Sequence, residues 1–128
     1  MRRLLAAFLY FVIVNAQGQT FPAQALKLIV AFPPGGGADI AARVVAQEMA
    51  QQLGQGMVVE NVGGAGGTIG ASRAAQATPD GYTLFLGTPS THGTNPAVLP
   101  KMSYDPVKDF APIALIGSSP FMLITRPT

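Results

Sequence analysis

Leu26-Lys27-Leu28-Ile29-Val30-Ala31-Phe32-Pro33-Pro34-Gly35-Gly36-Gly37-Ala38-Asp39 is the stretch that decides how this chain folds. Its first seven residues are a short, nearly continuous apolar run rich in strand formers, the pattern of a buried strand. Pro33-Pro34 stops that strand, and the glycine triplet turns the chain. From Ala38 to Leu53 the pattern is helical. Ala38, Ala41, Ala42, Val45, Met49 and Leu53 share one face, while Asp39, Arg43, Gln47 and Gln51 recur at i, i+4 on the other. Ile40 and Val44 stray toward the polar side, which predicts a helix covered in part by neighbours. Gly54 and Gly56 close it.

The same alternation continues outward. Met57–Glu60 reads as a second short strand, leading into Gly63-Gly64-Ala65-Gly66-Gly67. Thr68 to Ala77 is alanine-rich and helical in pattern, Pro79-Asp80-Gly81 is a turn, and Tyr82–Leu86 is a third strand. Residues 87–109 carry prolines at 89, 96, 100 and 106 and leave room for one short helix. Phe110–Ile116 and Phe121–Thr125 read as two further apolar strands, split by Gly117-Ser118-Ser119-Pro120. Continuous apolar strands alternating with helices predict an α/β fold, a parallel sheet with helices on both faces.

Ahead of this region stands an unlike segment. Met1-Arg2-Arg3 is followed by an unbroken apolar run of 11 residues from Leu4 to Val14, then by Asn15-Ala16-Gln17-Gly18. A basic start, an apolar stretch and small residues form the pattern of a secretory signal, with cleavage after Ala16 or Gly18. The run is well short of the roughly 20 residues needed to cross a bilayer as a helix. A buried N-terminal helix of a cytosolic protein is the alternative. The Arg2-Arg3 pair lacks the flanking pattern of a twin-arginine signal. The whole chain is 48% hydrophobic with a net charge of +2, but residues 19–128 carry six basic and six acidic groups. The pI of about 9.3 therefore reflects Arg2 and Arg3 and argues for no nucleic-acid partner. With no cysteine there is neither a disulfide framework nor a thiolate metal site. Charge is too sparse for a disordered polyelectrolyte.

Ligands of open parallel sheets bind beyond the carboxyl ends of the strands. Three loops qualify: Phe32–Asp39, Asn61–Gly70 and Gly87–Asn95. Two deliver glycine-rich backbone into a helix start, where free N–H groups and the helix dipole favour an anion. The third supplies Thr88, Ser90, Thr91 and His92 as hydrogen-bond donors. Together they suit a small anionic or carboxylated ligand; the plainer alternative is that the glycines only make tight turns. Asp39 in the first helical turn complements the dipole and is placed to pair with Arg43, whether or not it also shapes the pocket. No lysine follows either glycine cluster, so there is no P-loop. The dinucleotide pattern G-x-G-x-x-G also fails, although Glu60 sits where a ribose-binding acid belongs. His92 is the only histidine, and no Gly-x-Ser-x-Gly elbow or metal-ligand spacing is present. A hydrogen-bonded structural histidine and a ligand contact are both open for it.

At these loops the chain resembles the tripartite tricarboxylate transporter substrate-binding proteins, the Bug receptors. The likeness runs through Phe32-Pro33-Pro34-Gly35-Gly36-Gly37-Ala38-Asp39, Val59-Glu60-Asn61 and Gly64-Ala65-Gly66-Gly67-Thr68-Ile69-Gly70. It continues in Pro79-Asp80-Gly81-Tyr82-Thr83-Leu84, Gly87-Thr88, Thr91-His92, Asn95-Pro96 and Tyr104–Pro112. The resemblance implies a type II periplasmic binding-protein fold, two α/β domains closing on a ligand. It implies small di- or tricarboxylates or related acids as ligands, a membrane permease of one large and one small subunit or a sensor as partner, and no catalysis, cofactor or metal. By the same resemblance Phe32, Gly36, Gly37, Ala38 and Asp39, then Gly64, Ala65, Gly66 and Gly67, then Thr88, Ser90, Thr91 and His92 line the first domain's half of the pocket. The family usually carries threonine or serine where this chain has Ala38, arginine-proline at Val62-Gly63, and a glycine near Ser90.

The expected organisation is a signal peptide at residues 1–18 and, at 19–128, the N-terminal part of a solute-binding domain. Its companion domain is expected to be missing, leaving a monomeric fragment that binds weakly or not at all. A secreted α/β enzyme and a nucleotide-binding domain are the alternative functions.

Overall fold

The computed structural model describes residues 21–118, 122 and 124–126. The expected signal segment, residues 1–18, and the expected cleavage after Ala16 or Gly18 lie outside the described residues. Three parallel strands form the sheet: β1 (Leu26–Val30), β2 (Met57–Asn61) and β3 (Thr83–Leu86), in the order β2-β1-β3. Helix α1 (Gly37–Leu53) connects β1 to β2, helix α2 (Thr68–Ala75) connects β2 to β3, and a single short turn of helix, α3 (Asn95–Val98), follows.

Strand β1 is central because its residues are apolar on both faces. Leu26, Leu28, Ile29 and Val30 are all buried, and it pairs on one side with β2 and on the other with β3. Side chains alternate between faces along a strand. Leu28 and Val30 pack with Ala42 and Ala46 of α1 and with Leu86 of β3. Lys27, Ile29 and Ala31 face the other way, toward α2. There Gly70 lies against Ala31, and Glu60 accepts ion pairs from Lys27 at 3.2 Å and Arg73 at 2.7 Å. Fully burying an aliphatic side chain such as Ile29 contributes about 1.5–3 kcal/mol. The two helices thus cover opposite faces, as the strand–helix alternation predicts.

Both helices approach the sheet through very small residues. In α1 the contact is made by alanines. In α2 a Cβ added at Gly70 would lie 2.5 Å from the Val62 carbonyl oxygen and 2.9 Å from Ala31 Cα. Both are backbone atoms and cannot rotate aside. Pro79-Asp80-Gly81 forms the expected turn, with the Asp80 carboxylate accepting from the Tyr82 N–H at 3.0 Å.

Two expectations need correction. Ile40 and Val44, read as covered in part, are 58% and 60% exposed on the outer side of α1. Phe110–Ile116, read as a strand, has no regular structure, and Ile113 and Leu115 are 78% and 87% exposed. Apolar composition alone does not make a strand, because the backbone ladder needs a partner and this segment has none among the described residues. The second such run, Phe121–Thr125, lies partly outside the described residues; Met122, Ile124 and Thr125 are not in a strand.

The close seat of α2 on β1 yields the first prediction. Gly70→Ala should lower stability by about 1–3 kcal/mol, seen as a fall in the urea unfolding midpoint. An unchanged midpoint would mean that α2 moves off the sheet freely.

Candidate functional site

Order β2-β1-β3 places a topological switch point between β1 and β3. The chain leaves β1 toward β2 on one side and later returns to β3 on the other. Loops diverging from such a point leave a crevice at the carboxyl edge of the sheet. The loop after β1 and the loop after β3 meet there in an open groove of about 610 Å³, lined by Phe32, Pro33, Pro34, Gly35, Gly36, Gly37, Ala38 and Thr88. No side chain caps the first turn of α1, which begins at this groove. The first N–H groups of any helix lack intrahelical acceptors, so the groove is walled by donors and by the positive end of a 17-residue helix.

Asp39 fixes the wall. It is only 3% exposed, and each carboxylate oxygen is engaged inside the protein. Oδ2 accepts from Arg43 Nε at 3.0 Å and from the Gly35 N–H at 2.9 Å, and Oδ1 accepts from the Asn61 amide at 2.9 Å. The Arg43 hydrogen bond, then those from Gly35 and Asn61, lower its pKa from 3.8 to about 2. The expected i, i+4 partnership with Arg43 is present, and it forms one side of a knot that also closes on the loop backbone.

The second glycine loop borders the groove. Gly63 packs on Pro33, while a Cβ on Gly67 would lie 3.3 Å from Phe32 Cζ and 2.8 Å from Thr91 Cγ2. Gly64, Ala65, Gly66 and Gly67 all have positive φ, including Ala65 at 48°, which is sterically costly for a residue with a Cβ. Four successive residues of this kind curl the backbone tightly before α2. The Asn95 amide donates to the Gly66 carbonyl at 3.0 Å and ties this loop to the third one.

In the third loop the predicted residues divide by depth. Thr88 lines the groove, and Ser90 is half-buried and does not line it. Thr91 is fully buried, and its hydroxyl accepts from the Thr88 N–H at 3.0 Å. Thr91 Oγ1 and His92 Nδ1 share a hydrogen bond at 2.9 Å. The imidazole packs in a cluster with Phe85 and Phe110, whose ring centroids lie 5.8 and 5.0 Å from it. Burial lowers the His92 pKa, so the ring is neutral at pH 7 and presents no cation to an anion. The Tyr104 hydroxyl donates to the Thr91 carbonyl at 2.7 Å and braces the loop from below. Asn61, Asn95 and Tyr104 stand within the family-like stretches, yet residue type alone gave them no role. For Asn61 and Asn95 the one sequence signal is an amide at a strand end or a helix start; Tyr104 carries none.

A second groove, of about 310 Å³, runs along α2 past Thr68, Ser72, Arg73 and Ser103. Arg73 is committed to Glu60 there, and nothing converges on it. Among the described residues no three His, Asp or Glu side chains are grouped to hold a metal ion. Also among them, no helix is long and apolar enough to cross a membrane.

Comparison with known proteins bears on this geometry. Residues 41–128 match the family described as "Tripartite tricarboxylate transporter family receptor". The chain belongs to the tripartite tricarboxylate transporter receptor family. Protein BugT of Bordetella pertussis is 38% identical over 99% of the chain and 41% of its own length. Among solved structures, MatC from Rhodopseudomonas palustris with bound malate superposes with a TM-score of 0.72 at 48% identity. The match covers 75% of this chain and 33% of MatC. The periplasmic binding protein BugD gives a TM-score of 0.69 at 41% identity, covering 73% of this chain and 31% of its own. The receptor-family relatives named here are therefore longer, and the chain spans about 41% of BugT and about a third of MatC. The parallel sheet with helices on both faces is that of the periplasmic binding proteins, and the relatives are receptors, not enzymes.

Asp39 gives a pH prediction with a definite sign. Its folded-state pKa is depressed, so its stabilising contribution is complete above 3.8 and is lost as pH falls toward and through about 2. In acid titrations followed by circular dichroism, Asp39→Asn should flatten the fall in stability across that window. An identical slope in both proteins would show that the carboxylate is no better stabilised in the fold than in the unfolded chain.

Proposed function

We propose that residues 19–128 supply the first domain's share of a periplasmic receptor for small di- or tricarboxylic acids or related compounds. Residues 1–18 direct its export and are removed after Ala16 or Gly18. A second α/β domain supplies the rest of the pocket, and the loaded receptor serves a two-subunit membrane permease, with a sensor as the other possible recipient. The receptor acts as a monomer and binds without turnover.

One observation carries the reading: the uncapped start of α1 opens into a groove at the switch point of the sheet. A carboxylate suits it because backbone N–H donors and the helix dipole stabilise negative charge without a cation. In this reading Phe32, Gly36, Gly37, Ala38 and Thr88 face the ligand from the groove. Gly64, Ala65, Gly66, Gly67 and Ser90 border it, and Asp39, Thr91 and His92 hold those elements in place. Ala38 offers only its N–H. MatC, solved with malate, makes that acid the natural first probe.

Calorimetry and thermal unfolding with malate, citrate and glutamate test the proposal. With one face of the pocket, the 128-residue chain should show weak binding, with stabilisation that saturates with concentration and no consumption of the acid. Micromolar affinity in this chain would contradict the two-domain division. Turnover of the acid, or no stabilisation by any of the three, would contradict the receptor reading.

A further inference from the structure

We propose that Asn61 is a positioning residue for the ligand site, clamping the β1–α1 loop by joining the ends of two strands to the first turn of α1. The ligand in question rests on the carboxylate-receptor reading above; the clamp itself rests on geometry. Asn61 is the last residue of β2 and lies directly beside Val30, the last residue of β1. Its side chain therefore stands at the carboxyl edge of the sheet, where the groove opens. The amide nitrogen donates to the Phe32 carbonyl at 3.0 Å and to Asp39 Oδ1 at 2.9 Å, while the amide oxygen accepts from Arg43 Nη2 at 3.2 Å.

These three bonds define what residue 61 must be. It has to donate twice to oxygen acceptors and accept once from a guanidinium, within the reach of a two-carbon side chain. Asparagine does this; aspartate lacks the donors and would set a second carboxylate beside Asp39. The consequence for the loop follows from its two anchors. Phe32 is where the loop leaves the sheet, and its carbonyl is held by Asn61. Asp39 is where the loop has become helix, and the same Asn61 holds its carboxylate while that carboxylate holds the Gly35 N–H. Gly36, Gly37 and Ala38, which wall the groove, lie between the anchors. Glycines contribute no side-chain packing, so the conformation of this segment depends on bonds made at its ends. Removing Asn61 frees the Phe32 carbonyl and one oxygen of Asp39 together.

The test compares four proteins: the unaltered chain, Asn61→Ala, Asn61→Asp, and Asp39→Asn combined with Asn61→Asp. Two quantities are read: hydrogen exchange at the Gly35 amide without ligand, and the malate concentration that gives half-maximal thermal stabilisation. Both single variants should speed Gly35 exchange relative to the β1 amides and raise the malate midpoint about tenfold, the effect of losing one or two charge-assisted hydrogen bonds. The double variant again pairs one amide with one carboxylate beside Arg43 but leaves the Phe32 carbonyl without its donor, and should recover part of that loss. A role in packing alone predicts no such recovery, since the side chains at 61 are the same size in the single and double aspartate variants. Unchanged Gly35 exchange in Asn61→Ala overturns the proposal. So does a double variant no better than Asn61→Asp, or an unmoved malate midpoint despite faster exchange. Should Asn61→Ala not fold, the aspartate pair decides. If malate fails to stabilise even the unaltered chain, the receptor reading falls, while the Gly35 exchange comparison still decides whether Asn61 clamps the loop.

Discussion

A carboxylate taken out of water must be saturated with hydrogen bonds or it will be protonated or expelled. Asp39 meets that demand by collecting donors from three places: the loop that precedes it, the next turn of its own helix, and the end of a neighbouring strand. Satisfying one buried charge thereby fixes the direction in which α1 leaves the sheet. It also engages the Gly35 N–H and so holds Gly36 and Gly37 as a wall of the groove. Beneath the knot, the central strand supplies apolar residues to both faces, so neither helix can slide without uncovering Leu28 and Val30 or Ile29 and Ala31. The groove is the space left where these two requirements meet.

The electrostatics of the site follow from the same economy of charge. Residues 19–128 carry equal numbers of acidic and basic groups, and several of the basic ones are already paired. Arg43 is bound to Asp39, Arg73 and Lys27 to Glu60, and Lys108 to Asp105. His92 is held neutral by its burial. What remains to attract an anion at the groove is the oriented backbone, whose dipoles cost nothing to reorganise when a ligand arrives.

Much of this was legible in the residues. The uninterrupted apolar run from Leu26, the proline stop and the alanine face of α1 predict β1 and α1 with ends one or two residues from those observed. The loops that meet at the carboxyl edge of the sheet are the three expected at the strand ends, because each parallel strand delivers its following loop to that edge. Depth was not legible. Thr88, Ser90, Thr91 and His92 look equivalent as donors, and only the helical turn of the folded loop turns Thr91 inward and packs His92 against Phe85 and Phe110. The roles of Asn61 and Asn95 are not legible in the sequence, because an amide's role depends on which backbone carbonyl lies within reach, a long-range fact. Phe110–Ile116 misled for the opposite reason: its composition suits a strand, but strand formation is a property of two segments.

In the proposed function the backbone at the start of α1, backed by the second glycine loop, receives a carboxylate. Titrating malate into the isotopically labelled chain while following backbone amide resonances tests it most directly. Binding at that backbone should give saturable shifts concentrated at Gly36, Gly37, Ala38 and Gly64–Gly67, with the amides of β2 and the Thr68–Ser103 groove unmoved. Shifts confined to that second groove, or none at the glycine amides, would contradict it.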